Sequence, residues 1–212
     1  MTRFLFVRHG AHDLIDRGVI AGRQPGVHLN ADGRKQAEQI AEALSTLPIN
    51  AIYCSPLERA CETASPWAAK VGLTLQIAEE FNEIDFGAWT NCAFAELEDV
   101  PEWKQWNCFR SSAVIPGGES MIAVQARALK KISELRTRCG VIAVFSHGDV
   151  IRAVLAHFLS VPLDLFQRLQ IDPGSASLIE FDTTWVRVPC LNIPAYDATA
   201  IRSFFPSDTT VY

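Results

Sequence analysis

Phe4-Leu5-Phe6-Val7-Arg8-His9-Gly10 is a run of four apolar residues that ends abruptly in a cation, an imidazole and a glycine. A short unbroken apolar run reads as a strand buried on both faces, since a strand with one wet face would alternate. Arg8 and His9 therefore sit where a buried strand runs out. A histidine there is a candidate phosphoryl acceptor, because its ordinary pKa near ~6.5 leaves much of the ring neutral and nucleophilic at neutral pH. Arg8 adds a permanent charge and a planar donor fork that suits phosphate oxygens.

Outward from this stretch, strand-like and helix-like segments alternate. Residues 11–29 carry Gly18, Gly22, Pro25 and Gly26 without a sustained period and read as a loop. Asn30 offers an N-cap, and Ala37, Ile40, Ala41 and Leu44 mark one face of a helix running to about Leu47, closed by Pro48. Residues 51–54 form a second strand, ended by Ser55-Pro56, with the proline suited to the first turn of a helix bearing Leu57, Ala60, Cys61 and Ala64. Residues 71–77 are a third strand candidate. Residues 78–118 are irregular and rich in aromatics, which read as satellite core under a long excursion; Trp89 is set apart because it lies near a candidate acid. A turn at Pro116-Gly117-Gly118 precedes the longest helix, which begins at Glu119 or Ser120. Residues 141–145 are the most apolar strand, Ser146-His147-Gly148-Asp149 turns out of it, and 150–159 is a helix. A hairpin over roughly 176–191 follows. The pattern predicts an α/β fold, a three-layer α/β/α sandwich around a mostly parallel sheet, with ligands gathering beyond the carboxyl ends of the strands. His9, Arg59 and His147 all fall at that edge.

Composition narrows the function. A chain of 212 residues that is 49% hydrophobic can bury a substantial core, so one domain over 1–212 is expected, with a cap-like excursion at about 88–120. The net charge of -5 argues against a nucleic-acid partner. Six cysteines without C-x-x-C spacing point to reduced thiols and a cytoplasmic setting. Arg8 breaks the first apolar run too soon for a signal peptide or membrane span, so no membrane partner is expected. No H-x-x-x-H or H-E-x-x-H spacing suggests a metal site. Oligomeric state is not legible.

Five segments taken together carry a resemblance. They are Phe6-Val7-Arg8-His9-Gly10; Ser55-Pro56-Leu57-Glu58-Arg59-Ala60 with Thr63-Ala64; Glu83-Ile84-Asp85-Phe86-Gly87-Ala88-Trp89; Pro116-Gly117-Gly118-Glu119-Ser120; and Ser146-His147-Gly148-Asp149-Val150-Ile151-Arg152. In this order the set resembles the histidine phosphatase superfamily, within it the phosphoglycerate-mutase-like phosphatases. The resemblance implies a metal-independent, cofactor-free phosphomonoesterase acting on a small phosphorylated metabolite. His9 would take the phosphoryl group as a phosphohistidine that water then cleaves. Arg8, Arg59 and His147 would surround the phosphoryl oxygens, and Glu83, rather than its neighbour Asp85, would act as acid and then base. Gly10, Arg23 and Gly148 join the expected substrate-binding positions. His12 and His28 lie in or beside the first loop as lesser candidates, and His157 reads as structural.

The chain also departs from the family. Many members carry an acidic or polar residue directly after Arg-His-Gly and an asparagine a few positions on that helps hold phosphate; here these are Ala11 and Ile15. The replacement contact is expected from Asp13, Arg23 or a backbone N–H. Mutases follow the acid with basic residues that grip a second anion, and here no Arg or Lys appears until Lys104. A phosphoglycerate-type mutase and a non-catalytic phosphometabolite-binding protein stand as alternatives.

Overall fold

The computed structural model describes residues 1–205; the final stretch of the expected domain, 206–212, lies outside the described residues. The strands are β1 (Thr2–Arg8), β2 (Ile49–Cys54), β3 (Leu75–Ile77), β4 (Gly140–Ser146), β5 (Ser175–Phe181) and β6 (Val186–Pro194). The helices are α1 (Asp13–Asp16), α2 (Ala31–Ala43), α3 (Glu58–Val71), α4 (Phe94–Leu97), α5 (Pro101–Cys108), α6 (Met121–Leu135), α7 (Gly148–Phe158) and α8 (Ala198–Arg202). The sheet runs β3-β2-β4-β1-β5-β6. The first four of these are mutually parallel, while the β5–β6 hairpin is added antiparallel beside β1.

Alternation along the buried strands builds the three layers. Phe4 and Phe6 of β1, with Ile142 and Val144 of β4, face one core that includes Val124, Ile132, Val154 and Leu155 of α6 and α7. Leu5 and Val7, with Ala143 and Phe145, face a second core that includes Ile40, Ala41, Ala64 and Trp67 of α2 and α3. Both faces of the sheet are thus covered, as the unbroken apolar runs require.

Several boundaries differ from the sequence expectation. Asn30 caps α2 by accepting from the Gly33 N–H at 2.9 Å, but the helix ends at Ala43 and 44–47 form a turn. Pro56 lies ahead of α3, whose N-cap is Leu57. That helix runs on through Pro66 to a left-handed cap at Gly72, so the third strand shrinks to 75–77. The helix survives its internal proline because Ala60, Ala64, Trp67 and Ala68 form one continuous buried stripe. Packing outweighs the cost of a lost backbone donor, about 3 kcal/mol. The excursion contains α4 and α5, and its rings interlock: Trp89 lies 5.2 Å from Trp103 and 5.7 Å from Trp106 between centroids. Among the described residues no helix is long and apolar enough to cross a membrane.

Candidate active site

The carboxyl ends of β2, β4 and β1 are neighbours, and the backbone ties them together beyond the ladder. Ser55 N donates to Phe145 O at 2.9 Å and His9 N to Ser146 O at 3.0 Å. The segments after these strands therefore start from a fixed base. A cavity of 270 Å³ opens there, lined by Arg8, His9, His12, Arg59 and Glu83 on one side. Phe86, Phe94, Trp103 and Trp106 of the excursion, with Arg110, Asp149 and Arg152, form other parts of its wall.

His9 is buried, and its Nδ1 lies 2.8 Å from Gly10 O. Only an N–H can satisfy that carbonyl, so Nδ1 carries the proton and Nε2 keeps its lone pair. Burial first, then the charges of Arg59 and Arg8, hold the ring's pKa well below its ordinary value and keep it neutral. His147 lies beside it, with ring centroids 5.1 Å apart. Its Nε2 is 2.7 Å from Ser55 Oγ, and its Nδ1 is 3.7 Å from Glu83 Oε2. Burial, followed by Arg59, keeps this ring neutral as well.

Arg8 uses Nη1 to hold Ile171 O at 2.6 Å, and Arg59 uses Nη2 to hold Gly22 O at 2.8 Å. The remaining nitrogens are what set this place apart. Arg8 Nε, Arg59 Nε and Nη1, His12 Nδ1 and His147 Nδ1 are all buried with no hydrogen-bond partner among the described residues. Buried polar groups are rarely left so. Gly148 permits part of this geometry, because a Cβ there would meet the Arg8 guanidinium carbon at 3.3 Å.

Glu83 faces the same cavity. Burial and the charge of Asp149 push its carboxyl up to about 7, against the opposing pull of Arg59 and Arg8. Its own segment is clamped: Glu83 O accepts from Arg23 Nε at 2.7 Å and from Arg127 Nη2 at 3.1 Å. Glu119 holds both arginines, at 2.8 Å from Arg23 and 2.9 Å from Arg127. Asp85, the rival acid, turns away to accept from Gly87 N at 2.9 Å.

Placement of the expected residues is uneven. Arg8, His9, Arg59, Glu83, His147 and Gly148 come together. Three positions expected at the substrate do not line the cavity: His147, whose ring lies behind that of His9, Arg23 and Gly10. The Arg23 guanidinium is committed to Glu83 and Glu119, and the Gly10 N–H donates to Thr63 Oγ1 at 3.0 Å. Gly10 is required for another reason, since a Cβ would lie 2.8 Å from Gly33 O. Trp89 does not line the cavity; it belongs, with Phe86 and Trp106, to the core of Phe4 and Phe6 rather than to a separate satellite, because the excursion folds back onto that face. His28 pairs with Glu62 at the surface. His12, next to Ala11, has its ring 5.2 Å from that of His9. Its pKa is lowered to about 4 by burial and Arg59. Asp13 is exposed. Arg110 and Arg152, both distant in sequence from the acid, also line the cavity. Both reach Asp149, at 3.5 and 2.8 Å, and Arg110 lies over the Trp106 ring at 3.4 Å.

Fold and site together define a class: a three-layer α/β protein with a buried cationic cup beyond its parallel strands and a protonatable carboxyl in the cup's wall. The chain belongs to the histidine phosphatase superfamily (branch 1), whose family model matches residues 4–194. It is 27% identical over 195 residues to adenosylcobalamin/alpha-ribazole phosphatase of Escherichia coli, covering 90% of this chain and 95% of that protein. It is 30% identical over 203 residues to phosphoserine phosphatase 1 of Hydrogenobacter thermophilus, covering 92% and 94%. A solved mycobacterial glucosyl-3-phosphoglycerate phosphatase, in complex with VO3, superposes with a TM-score of 0.81 at 26% identity, covering 90% of this chain and 98% of that one. Another match is a bifunctional protein of Mycobacterium tuberculosis, 34% identical over 189 residues; the chain spans about half of that relative's length, 50% against 85% of its own.

Proposed function

We propose that this chain hydrolyses small phosphomonoesters through a phosphohistidine on His9. The observation that carries the reading is the set of partnerless buried nitrogens from Arg8, Arg59, His12 and His147 around a neutral, correctly tautomerised imidazole. A phosphoryl group seated there has its oxygens against these donors and its phosphorus facing His9 Nε2. Attack forms the N–P bond as the ester P–O bond breaks, and the Glu83 carboxyl gives its proton to the departing alkoxide. Water then attacks phosphorus, yielding its proton to the Glu83 carboxylate as the N–P bond breaks and inorganic phosphate forms. The guanidinium groups supply the charge stabilisation that phosphoryl transfer needs, so the scheme calls for no metal. The relatives named for phosphoserine, alpha-ribazole and glucosyl-3-phosphoglycerate phosphatases support the reaction class. They differ too much among themselves to choose a substrate. The mixed wall of Phe86, Phe94, Trp103 and Trp106 with Arg110 and Asp149 is where the leaving group would lie.

The test is release of phosphate from an aryl phosphate and from a panel of phosphorylated metabolites. His9→Ala is expected to abolish turnover, and wild-type enzyme quenched in alkaline denaturant to carry an alkali-stable, acid-labile phosphoryl group on the peptide containing His9. Undiminished turnover in His9→Ala would refute the mechanism. Interconversion of phosphoglycerates outpacing phosphate release would favour the mutase reading instead.

A further inference from the structure

Cys54 and Cys61 form a close thiol pair that the proposed chemistry does not use. Their sulfurs are 3.2 Å apart, and both lie against Ser55 O, at 2.7 Å for Cys54 and 3.3 Å for Cys61. Among the described residues no other two sulfurs are in such contact. Cys54, at the end of β2, is fully buried; Cys61, in α3, is half-buried. We propose that Cys54 and Cys61 are a redox modification site: a peroxide converts them to an intramolecular disulfide, and the closure disables the adjoining phosphate cup. The second half rests on the phosphatase reading; the first does not.

The pair divides the labour that such oxidation needs. Cys61 is the accessible member, and its hydrogen bond with Cys54 lowers its thiol's pKa, whereas the same contact and burial push Cys54 up. The Cys61 thiolate attacks the outer peroxide oxygen, breaking the O–O bond to give a sulfenic acid and, after proton uptake, water or an alcohol. Cys54 sulfur then attacks the sulfenic sulfur; the S–S bond forms, and the departing hydroxide leaves as water with the Cys54 proton. Two thiols are oxidised and one peroxide is reduced.

Geometry links that bond to the cup. Bringing the sulfurs to bonding distance, about 2.05 Å, needs a closure of about 1.1 Å. It also removes the S–H groups that lie against the Ser55 carbonyl. Ser55 directly follows Cys54, and its hydroxyl is the partner of His147 at 2.7 Å. Arg59 stands between the two cysteines at the start of α3. The strain of closure therefore falls on the short segment that positions two of the phosphate-binding side chains.

Trypsin cuts after Arg59 and so separates the cysteines into peptides 36–59 and 60–70. After peroxide treatment of the full chain, these peptides are expected to be recovered linked, with loss of two hydrogens. Turnover of an aryl phosphate should fall about tenfold or more, as ångström-scale misplacement of catalytic groups does. The thermal shift produced by orthovanadate should shrink in parallel, which reads the cup without relying on turnover. Dithiothreitol should reverse all three changes, and Cys61→Ser and Cys54→Ala should each resist them. Unlinked peptides, or Cys61 carried to sulfinic acid alone, would overturn the site. Linked peptides with turnover and vanadate shift both undiminished would overturn the switch. Because linkage is read by mass, failure of the thiol pair and failure of the phosphatase reading give different results.

Discussion

Glu83 is poised by its surroundings to hold a proton at neutral pH and to release it. With its carboxyl pushed up to about 7 by burial and Asp149, both forms are populated where the enzyme would work. The sign follows from the first role proposed for it: in that scheme the protonated form helps an alkoxide leave, so turnover of poor leaving groups should fall as pH rises through about 7. Glu83→Gln should erase that alkaline limb and slow alkyl phosphates by about 10² to 10⁴-fold. An aryl phosphate, whose leaving group needs little help, should lose far less; equal losses would remove Glu83 from the acid role. Glu83, His9, Arg8 and Arg59 were legible in the sequence because each lies at or just beyond the end of a strand, or within a short motif. Arg110 and Arg127 were not. Arg110 lies in a segment without periodic signal and Arg127 on a helix whose period marks only its apolar face, and only the folding back of the excursion and α6 gives each a partner.

Among elements, the clamp around Glu119 joins four parts of the chain: the first loop through Arg23, the turn at 116–118, the acid-bearing segment and α6. Glu119 receives Arg127 through two nitrogens, at 2.9 and 3.1 Å, and Arg23 through one. Arg127 also donates to Glu80 O at 2.7 Å. Glu119 touches neither His9 nor Arg59, so it acts as a positioning residue. Charge-assisted hydrogen bonds of this kind contribute about 1.5–3 kcal/mol. Glu119→Gln should lower kcat for alkyl phosphates about tenfold, a loss of the size that slight misplacement of the acid produces, with KM for an aryl phosphate little changed. The alkaline limb attributed to Glu83 should shift in the same variant, a readout that mere loosening of the fold would leave in place. Steady-state kinetics across pH with both substrate types checks this. At this scale the sequence was most legible where one period ran uninterrupted, as in β1, β4 and α6. It misled around α3, where a strand was expected from residue 71 while Trp67 and Ala68 extend the buried stripe and carry the helix to Val71.

The whole molecule carries the electrostatic consequence of burying three imidazoles beside two guanidinium groups. His9 and His147 are held well below their ordinary pKa and His12 at about 4, all chiefly by burial. Unfolding returns each to about 6.5, so between pH 6.5 and 4 the unfolded chain binds protons that the folded chain refuses. Stability contributed by these rings is therefore full above 6.5 and lost as pH falls. Glu83 has the opposite sign: its raised pKa contributes stability that is full below about 4.5 and lost as pH rises through about 7. One group against three leaves the unfolded state ahead by two protons. The folded state should thus lose up to about 2.7 kcal/mol per pH unit near pH 5. The raised pKa of His28 works the other way, but this group is fully exposed and its pairing with Glu62 is screened. Urea midpoints at pH 7.5 and 5.5 measure the effect. A marked fall is expected, and His9→Asn, which removes one of the three imidazoles, should show a shallower one. Equal midpoints at the two pH values would mean that the cup admits protons freely. The neutral nucleophile on which the proposed mechanism depends would then have no structural cause.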